Sequence, residues 1–415
     1  MTKLVRAAAA LALSAALAAT GCAPRSDGDG GSGGDQKVTM WMYPVVPDEA
    51  RHKELWDQMV SRFEQANPGI EVEIEFFPWK QRDEAIQTAL TSRTAPDLIY
   101  LIPDQLAAYQ KSIEPIDEHL GQQRVAELLP NAKEAVTLDG AMMGAPMLTS
   151  ANPLLCNKAA FEKAGVTDYP STWQDVIDIA PRFSENGMHA ISYSAVPTQT
   201  LNLTFYPVLW QAGGTVFDDK RAAFDSPEGR EALEYLTTLQ QAGALDPDAL
   251  TTALELEQTA FAGGRSGCAW DFAPKDLASQ IGEENVVVLP PLKGKESVGY
   301  GTVGTIAMFK DAKNKEAAGK FAAFATDPAN SVDFLTAAGY FSPVAGKGPD
   351  YSQDPILSEI EKTLPDMRFG ELHPQARAVM GALAPEIQAA LLGQKSPEQA
   401  LGDAAAAAES IIGQP

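Results

Sequence analysis

The chain is poor in the residues that most catalytic chemistries require. It holds three cysteines and four histidines in 415 residues. The histidines, His52, His119, His189 and His373, stand far apart and lack the short spacings of zinc sites. No Gly-x-Ser-x-Gly elbow joins a strand to a helix, so the sequence mark of a serine nucleophile is missing as well. Basic residues are scarce: 32 Lys and Arg face 55 Asp and Glu, a formal net charge of −23. Such a surface repels nucleic acid and offers no basic face to an anionic membrane, and its plain role is solubility. After the first two dozen residues, no apolar run approaches the roughly 20 residues that a membrane-spanning helix needs.

What is present begins with an export signal. Lys3 and Arg6 form a basic head, Ala7 to Ala19 is an Ala/Leu run broken only by Ser14, and Thr20-Gly21-Cys22 closes it. A cysteine at the cut resembles the bacterial lipobox, with Ala19 standing where Leu, Val or Ile is usual. That resemblance implies removal of residues 1–21 and lipidation of Cys22, with the mature chain held at the extracytoplasmic face of the cell membrane by its lipid. Residues 22–36, with Gly28, Gly30, Gly31, Gly33 and Gly34, read as a flexible tether of roughly 20 Å. Cys156 and Cys268 then remain, and in an oxidising compartment two thiols are more often paired than free, so a disulfide is expected.

The mature chain is longer than one hydrophobic core usually serves, which favours two domains. Its first hundred residues alternate strand and helix. Val38 to Tyr43 is a strand, and Asp48 to Ala66 places Leu55, Met59, Val60 and Phe63 at helical spacing. Ile70 to Phe77 alternates apolar residues with Glu71, Glu73 and Glu75, a helix follows around Arg82 to Leu90, and Leu98 to Ile102 is an apolar strand. This is the order of a parallel α/β sheet.

Specific landmarks add to that pattern. Trp41 lies on the first strand, Phe63-Glu64-Gln65-Ala66-Asn67-Pro68-Gly69-Ile70 precedes the second, and Ala95-Pro96-Asp97-Leu98 precedes the third. Further on come Leu154-Leu155-Cys156-Asn157-Lys158, Phe161-Glu162-Lys163-Ala164-Gly165, Pro170-Ser171-Thr172-Trp173 and Gly393-Gln394-Lys395-Ser396-Pro397-Glu398-Gln399-Ala400-Leu401. In this order they resemble the extracellular solute-binding proteins of ABC importers, in the branch that takes sugars and polyols. The resemblance implies a two-lobed α/β periplasmic-binding fold of type II, with a hinge of several crossing segments and a ligand cleft between the lobes. Crossings are expected near Pro146 to Asn152, Pro290 to Ser297 and Phe341 to Gly348. Lobe one would take 37–147 and 298–345, and lobe two 148–297 and 346–415, including an Ala-rich helix from Glu398 to Ile412.

In open parallel sheets ligands lie beyond the carboxyl ends of the strands, and a sugar asks for flat rings and fixed polar groups there. Asp104, after the third strand, is the leading candidate, against a role in capping a helix that starts at Gln105. Tyr43 and Trp79 are candidate rings, against loop packing. Ser150 and Asn152 lie near the first crossing, against turn chemistry before Pro153. Asn202 precedes a helix, where an N-cap is the alternative. Trp270 and Asp271 form a second pair, against core packing for Trp270. Tyr300, Gly301 and Thr302 belong to a segment too glycine-rich for an ordinary strand, with a bulge as the alternative to ligand approach. Arg368 lies in a segment similar to that of glycerol-phosphate and glycerophosphodiester binders, against a surface ion pair.

The resulting expectation is a monomeric receptor, without cofactor, metal or catalytic residue, that closes on a sugar or polyol and hands it to a permease. A glycerophosphodiester ligand on the same fold is one alternative, and an exported carbohydrate-active enzyme using Asp104 and Asp271 is another. A sensor for a receptor kinase would look the same in sequence.

Overall fold

The computed structural model describes residues 36–79, 82–218 and 221–413. The signal segment, Cys22 and nearly all of the tether lie outside the described residues. The strand Gln36–Met42 leads into the helix Glu49–Ala66, which starts where Asp48 accepts a hydrogen bond from the Arg51 amide at 2.9 Å. Its Leu55, Trp56, Met59 and Phe63 are buried on one face. The helix ends at Asn67, and Gly69, at φ 91, turns the chain through a left-handed conformation that favours glycine.

The strand Ile70–Phe76 then runs parallel to the first, in register from Gln36 opposite Ile70 to Met42 opposite Phe76. It is an edge strand, which explains its alternation: Val72 is buried while Glu71, Glu73 and Glu75 face water. The helix Arg82–Ser92 carries the chain over to Leu98–Leu101, parallel to the first strand on its other side. The long strand Gly299–Phe309 lies antiparallel to Leu98–Leu101 and pairs further along with Ala145–Asn152, Ile113–Glu114 and Met367–Arg368. Together these make a seven-stranded sheet.

The glycines of that long strand answer to the protein's own packing. A Cβ on Gly301 would lie 2.2 Å from the Ser150 carbonyl oxygen, and one on Gly304 would lie 2.0 Å from the Tyr100 hydroxyl. The register also shifts between Gly304 and Thr305. The close approach anticipated from sequence is therefore to neighbouring strands and to Tyr100, and a bulge is present.

A second sheet of four strands has the order Val286–Leu289, Leu154–Asn157, Ser266–Ala269, His189–Ile191. Cys156 and Cys268 are directly paired across its centre and joined by a disulfide. Helices Trp173–Glu185, Phe205–Gln211, Pro227–Gln241, Ala376–Leu391 and Pro397–Ile412 pack around it. The last opens with a reciprocal cap between Ser396 and Gln399 and buries Ala400, Ala404 and Ala408 at four-residue spacing, where small side chains let the helix approach its neighbours closely.

Each sheet has its own large apolar cluster. The chain passes from the first sheet to the second after Asn152 and returns between Leu289 and Gly299. The third passage differs from expectation. Residues 346–415 were assigned to the second half, yet Tyr351, Ile356, Leu357, Ile360, Leu364, Met367 and Phe369 are buried in the first core. Met367–Arg368 also pairs with Gly299–Tyr300 of the first sheet. The passage falls after Phe369, and the apolar face of the helix Pro355–Thr363 is the reason, since it covers the first core before the chain leaves. Likewise the strand through Ser150 and Asn152 stays in the first sheet to its end. Among the described residues, no helix is long and apolar enough to cross a membrane.

Candidate functional site

The three parallel strands of the first sheet end together at Met42, Phe76 and Leu101, and the antiparallel Gly299–Phe309 strand begins at the same edge. The loops that leave this edge carry Tyr43 and Trp79, Asp104 lies in the first turn of the helix after the third strand, and Tyr300 lies at the start of the long strand. Tyr43 is fully buried and stacks on Trp79 with ring centres 5.2 Å apart. Burial pushes its hydroxyl up to about 12. Trp79 is 39 % exposed, is fixed by a hydrogen bond from its Nε1 to the Pro44 carbonyl, and carries the Arg82 guanidinium 4.7 Å above its ring. Pinned in this way, the part of the indole left open to water can meet an apolar part of a ligand.

Asp104 is not the helix cap. The helix Pro103–Tyr109 begins one residue earlier with Ile102 at its N-cap position, and Asp104 lies in its first turn. One carboxylate oxygen accepts from the Gln105 amide at 3.0 Å, and the other accepts from Nε of Arg377. Nη1 of Arg377 also donates to Asp83, whose second oxygen is held by Gln105 Nε2 at 2.7 Å. Arg377 opens the helix Ala376–Leu391, whose Val379, Leu383 and Ile387 belong to the second core. This guanidinium therefore links a helix of the second core to Asp83 and Asp104 beside the first sheet. Sequence reasoning passed it over in favour of Arg368. The tie joins residues 294 positions apart, and no local pattern signals it.

The second sheet presents its own edge at Leu154, Ala269, Ile191 and Leu289. Trp270 is half-buried and meets Tyr193 edge to face, with ring centres 6.1 Å apart. Asp271 Oδ1 is buried without a hydrogen-bond partner, and desolvation raises the carboxyl to about 7. Asn202 lies in the 3-10 turn Leu201–Leu203 and caps no helix; its Oδ1 is likewise buried and unpartnered, as is the Tyr206 hydroxyl. Asn152 and Trp270 border a small cavity, about 20 Å³, beside Gly299 at the crossing.

Arg368 makes no ion pair among the described residues. Its guanidinium lies 4.9 Å over the Trp210 ring, and the Trp210 Nε1 donates to Glu371 at 3.2 Å. Desolvation pushes the Glu371 carboxyl up to about 7, although Arg368 pulls the other way. Trp210, assigned from sequence to the core, is buried there and also holds this carboxyl. Ser150 and Thr302 face each other as paired residues between the crossing strands, and Tyr300 pairs with both Asn152 and Arg368. Burial raises the Tyr300 hydroxyl to about 12, with the nearby Asp104 adding to the effect.

Tyr43, Trp79, Asp104 and Tyr300 thus gather at one sheet edge, and Asn202, Trp270 and Asp271 at the other. Asp83, Arg82, Arg377, Tyr193 and Glu371 join them without having been singled out. A cavity of about 1010 Å³ lies elsewhere, lined by Arg124, Phe324, Val344 and Lys347 among others, and shares no residue with either edge.

A two-sheet α/β body whose strand ends carry pinned rings and buried polar groups defines a ligand-binding class, the type II periplasmic-binding fold. Residues 47–332 match the model of the bacterial extracellular solute-binding protein family, and the chain belongs to that family. A Brucella abortus binding protein is 26 % identical over 384 residues, covering 89 % of this chain and 92 % of the relative. The maltotriose-binding protein of Pyrococcus abyssi is 24 % identical, covering 88 % of this chain and 79 % of its own. Among solved structures, a solute-binding protein of an ABC transporter from Thermotoga lettingae, bound with α-D-tagatose, superposes with a TM-score of 0.71 at 26 % identity. It matches 91 % of this chain and all of its own. The cyclic α-maltosyl-1,6-maltose binding protein of Arthrobacter globiformis reaches a TM-score of 0.78 at 19 % identity, over 91 % and 99 % of the two chains.

Proposed function

We propose that this solute-binding protein captures a sugar or oligosaccharide between its two halves and delivers it, unaltered, to the permease of an ABC importer. The observation that carries the reading is the pairing of fixed rings with buried hydrogen-bonding groups at both sheet edges, Trp79 with Asp104 on one and Trp270 with Asp271 and Asn202 on the other. A saccharide offers C–H faces to such rings and hydroxyls to such groups. The named ligands of the Pyrococcus, Thermotoga and Arthrobacter relatives, maltotriose, tagatose and a cyclic maltosyl-maltose, support the same class.

In this reading the moving bodies are residues 36–152 with 299–369, and 153–298 with 370–413. Ligand that touches both favours the closed arrangement, and the permease senses closure. The chain works outside the cytoplasm, as a monomer held to the membrane through lipidated Cys22. Arg368 is the residue that favoured a glycerophosphodiester, and its stacking on Trp210 beside buried Glu371 spends its charge within the protein.

Calorimetry of the mature chain against mono-, di- and oligosaccharides, polyols and glycerophosphodiesters tests the proposal. A saccharide binds, and Trp270→Ala and Asp104→Ala each weaken it at least about tenfold, near 1.4 kcal/mol. Binding confined to the phosphodiesters, or product accumulating with time, overturns it.

A further inference from the structure

Beside Trp270 the second half encloses a cavity of about 100 Å³. At roughly 30 Å³ per water, that volume holds about three water molecules. It is too small for a sugar ring and large enough for one substituent. Its polar lining is Ser192, Ser194, Thr198, Gln199, Thr252, Thr259 and the Asp271 carboxyl, and no Lys, Arg or His is part of it.

Asp271 is the anomaly. Its Oδ1 is buried without a partner, and its titration is set by loss of water and by its own backbone, with no nearby cation acting on it. The one titratable side chain that responds to it is Tyr193, which is itself buried with an unpartnered hydroxyl and is neutral at physiological pH. A buried carboxylate is tolerated when it is paired with positive charge, and otherwise it holds a proton. The surrounding hydroxyls can accept hydrogen bonds but bring no charge. A ligand hydroxyl could pair with the carboxyl in its protonated form, but it brings no charge that would favour the ionised form. An ammonium group supplies three donors together with that charge.

We propose that this cavity is a subsite for the primary ammonium group of an amino sugar. The inference rests on the saccharide reading given above and narrows it to ligands that carry a free amine.

The test compares three disaccharides of one skeleton on the mature chain at pH 7: the chitosan disaccharide with two free amines, cellobiose with hydroxyls at those positions, and N,N′-diacetylchitobiose. The chitosan disaccharide binds at least about tenfold more tightly than either of the others. At pH 6, titration in buffers of different ionisation enthalpy registers release of about one proton per amine ligand bound, because the ammonium displaces the proton on Asp271. In Asp271→Asn the ratio between the amine and hydroxyl ligands falls to about one. Should that variant fail to fold, the proton count on the wild-type chain decides. Equal or tighter binding of cellobiose or the diacetyl sugar, no proton release, or an unchanged ratio in the variant overturns the subsite. If neutral saccharides bind and the amine does not, the subsite alone falls; if no saccharide binds, the functional reading falls with it.

Discussion

Three buried ionisable side chains give this protein a pH dependence that can be worked out in sign. Glu371 holds its proton to about 7 in the folded state, against 4.5 for the unperturbed group. Stability from this carboxyl is fully present below the unfolded value and is lost as pH rises toward 7, because the unfolded chain ionises first. Glu371→Gln removes that loss. The variant is expected to match the wild type near pH 4 and to exceed it at pH 8 by on the order of a few kcal/mol, read from thermal or urea unfolding at the two pH values. His52 acts in the other direction. Its ring is buried, Nδ1 accepts from the Val46 amide at 3.3 Å, and burial lowers it to about 4. Its folded pKa lies below the unfolded one, so stability falls as pH drops from about 6.5 toward 4. Asp271 follows the pattern of Glu371. The residue types at these positions were plain in the sequence, and their significance was not, because burial is set by contacts far along the chain. Asp104 stood out by its position after a strand, while its partner Arg377 came from a helix of the other half.

At the level of strands and helices, much was legible where local pattern and burial agree. The alternation of Ile70 to Phe77 marked a half-buried strand, found at Ile70–Phe76, and the Ala-rich helix expected from Glu398 to Ile412 runs from Pro397 to Ile412. The helix Pro355–Thr363 is the counterexample. With a crossing expected near Phe341 to Gly348, this segment was given to the second half, yet its Ile356, Leu357 and Ile360 fill the first core. The disulfide belongs to this scale too, since it staples Leu154–Asn157 to Ser266–Ala269 across 112 residues of chain. Reduction, or Cys156→Ala with Cys268→Ala, is expected to destabilise the protein by on the order of 4 kcal/mol on the chain-entropy argument. The first sheet holds no part of this staple, so hydrogen exchange should rise chiefly in strands 154–157, 189–191 and 266–269; uniform exchange across both sheets would contradict a local staple.

For the whole molecule, the Arg377 bridge to Asp83 and Asp104 ties a helix of the second core to residues beside the first sheet. Two ion pairs at 41 % exposure for the guanidinium are weak taken singly, and each is screened by salt. If the proposed opening and closing involves two arrangements close in energy, such pairs would bias the balance between them. Arg377→Ala is expected to raise the radius of gyration of the ligand-free protein in solution scattering, and added salt should move the wild type in the same direction. An unchanged profile in both cases would mean that the bridge has no influence on opening.

The polypeptide passes between the two sheets three times, after Asn152, before Gly299 and after Phe369. No single cut therefore yields either half as a contiguous fragment, and trimming from either end removes strands or helices that the remaining half needs. Anyone wishing to express one half alone, or to report its motion with an attached fluorescent protein, must insert at an exposed loop or rejoin the pieces in a new order.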